Sequence, residues 1–327
     1  MSRYYDVIAL GEALIDFTPA GLSEKGLPLY EANPGGAPAN VLACVNKLGG
    51  KAGFIGKVGD DAHGRFLTDN MAKYGVDLTG LRVDREIPTT LAFVTLDEKG
   101  DRSFSFYRKP GADLMLRKTE IDECSLCDTK IFHFGSVSLT ADPAREATFA
   151  AAEAAKRAGA IISFDPNYRP LLWNGEAEAI EQMKCGAEIA DIIKVSDNEL
   201  VMLTGTDDLS RGADALLAMG ATLALVSMGA GGSYIATRKY AVRLPTYDVA
   251  TVDTTGAGDA FLGAILSRVC DMSLDEIAAL DPFALQDILD FANACGSLTT
   301  TKTGAAPALP NAEEIAECRR TVGYIGE

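Results

Sequence analysis

The residues best equipped for chemistry lie in DTTGAGDAFLGAIL, Asp253 to Leu266. A tight glycine turn, Gly256-Ala257-Gly258, leads into a stretch where Ala260, Phe261, Ala264, Ile265 and Val269 recur at helical spacing. The β-branched, apolar run before it, Tyr247 to Val252, predicts a strand. Strand, glycine turn and helix aim several N–H groups at one point on the positive end of a helix, a natural seat for phosphate. Asp259 falls in the first helical turn beside that point. A site that only holds an anion has no use for a carboxylate there. One that moves a phosphoryl group onto a hydroxyl does, because amides can hold the developing charge while the carboxylate collects the alcohol proton. The plainer alternative is a first-turn acid that favours the helix dipole. Two commoner nucleotide motifs are absent. Gly21 and Gly26 have the spacing of G-x-x-x-x-G-K-[ST], but Leu27 and Pro28 stand where Lys and Ser/Thr belong. A dinucleotide fingerprint would need a third glycine and an early βαβ unit.

Other chemistries have little to work with. The two histidines are His63, in a turn, and His133, inside the apolar run KIFHFGSV where a core imidazole is expected. With no G-x-S-x-G either, carboxylates are left as general bases. Cys124 and Cys127 form a lone CxxC without a second pair, which suits reduced surface thiols better than zinc. The excess of 46 acidic over 30 basic residues, a net charge of −16, argues against nucleic acid or an anionic membrane as partner. Asp6 and Glu12 interrupt any secretory h-region, and a cytoplasmic location is expected.

The elements that must position these groups read as alternating strands and helices, an α/β fold with a mostly parallel sheet. Candidate ligands then sit beyond strand carboxyl ends. Asp16 follows the strand Tyr5 to Leu10. Pro34-Gly35-Gly36-Ala37-Pro38-Ala39-Asn40 opens a helix, its paired glycines allowing close backbone approach. Leu91 to Leu96 and Arg102 to Arg108, joined by DEKGD, read as a hairpin. Its apolar face (Phe93, Phe104, Phe106) would need covering, and Arg108 at its exit could reach a sugar or a phosphate. Ala160 to Phe164 leads into Asp165-Pro166-Asn167-Tyr168-Arg169, where a turn explains Asp165 and Pro166 but not Arg169. Ser196-Asp197-Asn198-Glu199 has the spacing of a capping box after another strand. Met228 to Gly232 forms a second glycine turn, and Pro282 to Thr300 a long helix.

DTTGAGD and PGGAPAN, about 220 residues apart, resemble the paired signatures of the ribokinase-like (PfkB) family of sugar and nucleoside kinases. FIGKVGDDAHG, FYRKPGAD, IFHFGSVSL, FDPNYRPLLW and KVSDNEL resemble its fructokinase branch, and the likeness covers essentially the whole chain. The resemblance implies a three-layer α/β/α core (1–17, 31–87 and 109–327) with a small β lid (18–30 and 88–108), and a homodimer whose lids clasp. It implies Asp259 as base and the turn Gly256-Ala257-Gly258 as catalytic, with the amides of Ala257, Gly258 and Asp259 as anion hole. Sugar contacts fall to Asp16, Gly35, Gly36, Asn40, Arg108, Asn167 and Arg169. ATP contacts fall to Lys194, Ser196, Glu199, Ser227, Gly229, Gly231 and Asn293, with Asn293 and Ala294 facing adenine. Glu199 would help hold the Mg²⁺ shell, although Ser196 replaces the family's Asn. Asp253, Thr255 and Gly304, in the Lys302–Pro310 loop, would hold a monovalent cation, usually K⁺.

The expected activity is ATP-dependent phosphorylation of fructose at its terminal hydroxyl. Kinases for 2-keto-3-deoxygluconate, ribose or a nucleoside would use the same machinery, and Arg169 keeps an acidic sugar in view. A catalytically idle kinase-shaped binding protein and a Rossmann-type dehydrogenase are more distant alternatives.

Overall fold

A computed structural model describes residues 3–96 and 102–326. Its strands in chain order are β1 (Tyr5–Leu10), β2 (Leu14–Leu22), β3 (Pro28–Gly35), β4 (Ala52–Gly59), β5 (Asp77–Asp84), β6 (Leu91–Leu96), β7 (Arg102–Tyr107), β8 (Thr129–Gly135), β9 (Ile161–Asp165), β10 (Ile192–Ser196), β11 (Leu223–Ser227), β12 (Ser233–Ala236) and β13 (Ala241–Leu244). Nine form a central sheet in the order β13-β12-β11-β10-β9-β8-β1-β4-β5, parallel except for β12, which runs against both its neighbours. The inner parallel strands are short, apolar and buried on both faces, as helices on either side require, whereas the edge strand β5 is half-exposed.

Alternation along β1 shows how the layers form. Val7 and Ala9 join one apolar cluster with helices Ala37–Lys47, Ala257–Val269 and Pro282–Thr299. Ile8 and Leu10 join another with helices Ala144–Arg157, Glu176–Ile189 and Leu209–Met219. The result is the expected three-layer arrangement. β1 pairs with β8 on one side and β4 on the other, so the chain reverses its direction of travel there and a crevice opens beyond the carboxyl ends.

A second sheet, ordered β3-β2-β6-β7, flanks that crevice. β2 begins at Leu14 and β3 ends at Gly35, so these strands reach further into the core segments than expected. Residues 97–101, with the DEKGD turn, and the Phe104 side chain lie outside the described residues. Phe93 and Phe106 do not share a face as expected. Phe106 is opposite Ala92 and Phe93 opposite Ser105, one residue out of step, so their side chains leave the sheet on opposite sides.

The predicted strand over Tyr247–Val252 does not form. Pro245 closes β13 without an N–H to continue the ladder. Tyr247 makes a single bridge to Tyr324 and donates its hydroxyl to Asp290 at 2.6 Å. The segment then returns to the core through the N–H groups of Val252 and Asp253, both on the Thr300 carbonyl. An extended run thus feeds the glycine turn, but among the described residues no neighbouring strand receives it.

Candidate active site

Helix Ala257–Val269 starts at Gly256, whose φ of 77° is left-handed and whose missing Cβ would lie 2.3 Å from the Ala305 Cβ. Glycine is required there on both counts. Among the described residues, the N–H groups of Gly258 and Asp259 find no acceptor within the protein, while that of Ala257 reaches the Thr254 carbonyl at 3.3 Å. Two free donors therefore stand at the positive helix end, as an anion hole needs.

Asp259 is 8 % exposed and held from two sides. Asn40 Nδ2 donates to Oδ2 at 2.8 Å, and Asn167 Nδ2 to Oδ1 at 3.4 Å. Burial pushes the carboxyl above its usual range; the Asn40 hydrogen bond works against that, Asp165 adds to it, and Lys194 and Arg169 oppose it. Asn167 carries a φ of 46°, a left-handed conformation that Asn tolerates, with its own N–H on Asp165 Oδ1.

A cavity of about 560 Å³ joins Asp259 to the second sheet. Asp16 and Asn33 are cross-strand partners on β2 and β3, as are Thr18 and Glu31, and all four line the cavity. Cross-strand partners share a face, which explains a polar wall drawn from two strands. Gly35 backs against Asp16, since a Cβ there would sit 2.3 Å from Oδ2. Burial lifts the Asp16 carboxyl to about 6, with Arg169 opposing the shift and Asp259 adding to it. Val94 and Phe106 supply an apolar strip beside these groups.

The cavity also takes in Lys194, whose ammonium pairs with Asp165 at 2.8 Å in a setting only 8 % and 4 % exposed. Burial would lower its pKa, but Asp165, Glu199 and Asp259 together hold it above the usual lysine range, so it stays charged. A Cβ on Gly258 would lie 3.3 Å from its Nζ, which places that charge against the anion hole. Asp253 ties two loops together at the cavity edge. Its Oδ1 accepts from Thr255 N and Oγ1, and its Oδ2 accepts from Gly304 N at 3.0 Å.

Other expected site residues lie outside the cavity wall. Ser196 caps helix Asp197–Thr204, and Glu199 completes the capping box while also accepting the Tyr168 N–H at 2.7 Å. Ser227 ends β11, and Gly229 and Gly231 form the tight turn after it. Arg108 does not reach the cavity. It is 5 % exposed, pairs with Asp113 at 2.6 Å and donates to Thr140 Oγ1 and the Val137 carbonyl. The chain turns inward after β7, so the guanidinium is consumed in tying the second sheet to the core. Asn293 is likewise turned inward, accepting from Ser233 Oγ at 2.6 Å and donating to the Pro245 carbonyl; Ala294 is fully buried.

Sequence reasoning passed over Thr18, Glu31 and Asn33, although the alternation Asp16-x-Thr18 and Glu31-x-Asn33 was there to be read. It also treated Asp165 as a turn residue, whereas its carboxylate anchors Lys194. His133 is the core imidazole expected: its Nδ1 lies 3.1 Å from Ser163 Oγ, and burial holds its pKa down to about 3.

Comparison with known proteins agrees with this geometry. The model of the pfkB family carbohydrate kinases matches residues 5–312. Fructokinase-2 of Solanum lycopersicum is 44% identical over 311 residues, covering 94% of this chain and 94% of the relative. Among solved structures, the fructokinase with bound ATP from Xylella fastidiosa superposes with a TM-score of 0.88 at 37% identity, over 97% of this chain and 98% of that one. A fructokinase double mutant from Vibrio cholerae O395, in fructose, ADP and potassium ion bound form, gives 0.85 at 34% identity, over 97% and 99%. With its two signatures brought to one cavity, this chain belongs to the pfkB family of carbohydrate kinases, phosphotransferases that act on a sugar hydroxyl.

Proposed function

We propose that this protein transfers the γ-phosphoryl group of ATP to the terminal hydroxyl of fructose, giving fructose 6-phosphate and ADP. The observation that carries the reading is Asp259, held by two asparagine amides beside two free backbone N–H groups and facing a cavity it shares with Asp16. Asp16, Asn33, Asn40 and the Gly35-Gly36 backbone bind the sugar, two carboxylate oxygens suiting a polyol. Asn167 and Arg169 close the side next to Asp259.

As the acceptor oxygen bonds to phosphorus, the bond from phosphorus to the β–γ bridging oxygen breaks and ADP leaves. Asp259 accepts the hydroxyl proton late, since a loose transition state needs no strong base. The amides at Gly258 and Asp259 and the Lys194 ammonium stabilise the charge on the migrating oxygens. The nucleotide runs from this point past Ser196, Ser227, Gly229 and Gly231. Both Glu199 oxygens already accept backbone N–H groups, so Glu199 suits a water of the Mg²⁺ shell better than the ion itself. Mg²⁺, when bound, neutralises charge on the nucleotide phosphates. The all-oxygen donors of the Asp253–Thr255 and Gly304 loops fit a large monovalent cation such as K⁺, which would stiffen the turn leading into Gly256.

The second sheet acts as a lid that excludes water from the transfer. Its outer face carries Tyr30 and Tyr107 around Phe93, itself stacked on Phe17 at 4.7 Å, and this face pairs with its copy in a homodimer. The reading includes a cytoplasmic location, where seven free cysteines remain reduced. A 2-keto acid sugar is the second reading, favoured by the Arg169 charge acting on Asp16. A panel of fructose, ribose, glucose and 2-keto-3-deoxygluconate in a coupled ADP-release assay separates them. Fructose is expected to give the highest kcat/KM, and a higher value for the acidic sugar would replace it.

A further inference from the structure

Glu12 follows Gly11 just beyond the carboxyl end of β1, where the sheet changes direction, and it is 4 % exposed. It belongs to the cavity wall. Its Oε1 accepts the N–H of Ala37 at 3.0 Å. Ala37 opens helix Ala37–Lys47, and the residue before it, Gly36, has no side chain with which to cap that helix. Glu12 therefore does from a neighbouring strand end what Ser or Asp does at an ordinary N-cap. Gly36 presses onto the same residue, since a Cβ on it would lie 2.4 Å from the Glu12 carbonyl oxygen. The helix so fixed carries Asn40, which holds Asp259. Oε2 of Glu12 is enclosed and, among the described residues, has no hydrogen-bond partner.

We propose that Glu12 is a positioning residue of the acceptor site, setting the Gly35-Gly36 loop and Asn40 through the Ala37 amide. The proposal rests on the reading of this wall as the sugar wall. The charged groups facing Glu12 are Arg108, beyond β7, which favours its ionised form, and Asp113, in the turn Ala112–Met115, which opposes it; those two are themselves paired. Helix Ala37–Lys47 brings no acidic residue in its first turn. Burial lifts the Glu12 carboxyl to about 7, against the Ala37 N–H and Arg108. The carboxylate is the stronger acceptor and suits the positive helix end, so the loop tightens as pH rises through that value.

The test follows KM for fructose between pH 5.5 and 8.5, with backbone amide exchange at residues 37–40 measured without sugar. In the wild type, KM should fall through pH 7, in addition to a step near 6 from Asp16. Glu12→Gln keeps an acceptor for Ala37 but cannot ionise, and should lose the step near 7 while keeping the one near 6. Glu12→Ala should raise KM for fructose about tenfold at pH 8, the worth of a hydrogen bond to a charged group, with KM for ATP changed less than about twofold. Its amides at 37–40 should exchange faster. An unaltered pH profile in Glu12→Gln, or unchanged exchange at 37–40 in Glu12→Ala, overturns the proposal. If the wild type ignores fructose, the choice of sugar is at fault, and the exchange measurement still judges Glu12.

Discussion

Asp259 combines two demands that pull against each other. In the proposed transfer it must lie beside free amides to share their work and be ionised to take a proton, yet burial favours its neutral form. Asn40, Lys194 and Arg169 oppose that effect without cancelling it, and the carboxyl stays above its usual range. Asp259→Asn removes the proton acceptor and keeps the shape, so kcat should fall by roughly 10³-fold or more with Kd for ATP within a few-fold of the wild type. Steady-state kinetics with nucleotide-binding titration checks this, and a parallel loss of ATP binding would make the residue structural. Asp16 illustrates the cost of such a site. Its carboxyl titrates near 6 in the folded protein against 3.8 ordinarily, so the folded state holds the proton more tightly. That contribution to stability is complete below the ordinary value and disappears as pH rises through about 6. Asp16→Asn should therefore stabilise the sugar-free protein at pH 8 by on the order of 1–3 kcal/mol, with the gain shrinking toward pH 4, as urea unfolding at both pH values would show. The same variant should bind sugar poorly.

At the scale of elements, the helix from Ala257 was legible because glycine turn and apolar period agree. Most of the parallel strands were legible because they are buried apolar runs; β5, a half-exposed edge strand, gave no such signal. The strand over Tyr247–Val252 was misread because β propensity says nothing about whether a free sheet edge is available. β2 and β3 were hard to see as a pair, since their far halves are exposed and lack an apolar alternation. Arg108 could not be assigned from position, because its partner Asp113 depends on how the chain turns after β7. Asn40 and Asp259 are 219 residues apart in sequence, and only the fold makes them neighbours. The contact between Gly35 and Asp16 offers a test of the β2–β3 wall. A Cβ at Gly35 meets a movable carboxylate, at a backbone conformation open to other residues. Gly35→Ala should raise KM for fructose by about tenfold or more while Tm stays within a few degrees, because a displaced side chain costs the core little. A large drop in Tm would mean the glycine serves the fold instead.

For the whole molecule, the exposed side of the second sheet carries the aromatic cluster that a second copy would cover in the proposed dimer. Tyr107 is 65 % exposed and Tyr30 42 %, on either side of Phe93. Sedimentation should show a dimer, and Tyr107→Asp should shift it to monomer at micromolar concentration by placing a charge in a desolvated aromatic cluster. A wild type that stays monomeric would contradict the proposed clasp. The net charge of −16 is silent about the site, where a few local donors decide.

The cavity's two halves come from separate stretches of chain. The wall proposed to meet the sugar is drawn mainly from residues 12–40 and from Val94 and Phe106, whereas Asp259, the proposed base, the free amides and Lys194 all come from beyond residue 160. The Asn40–Asp259 bond joins the two, and the helix that carries Asn40, Ala37–Lys47, packs on helix Ala257–Val269 in a shared core. Such a division lets the acceptor be exchanged without rebuilding the transfer apparatus. Grafting the β2–β3 segment, residues 14–35, from a relative with another sugar preference, with Asn40 retained, is thus a short route to retargeting this enzyme.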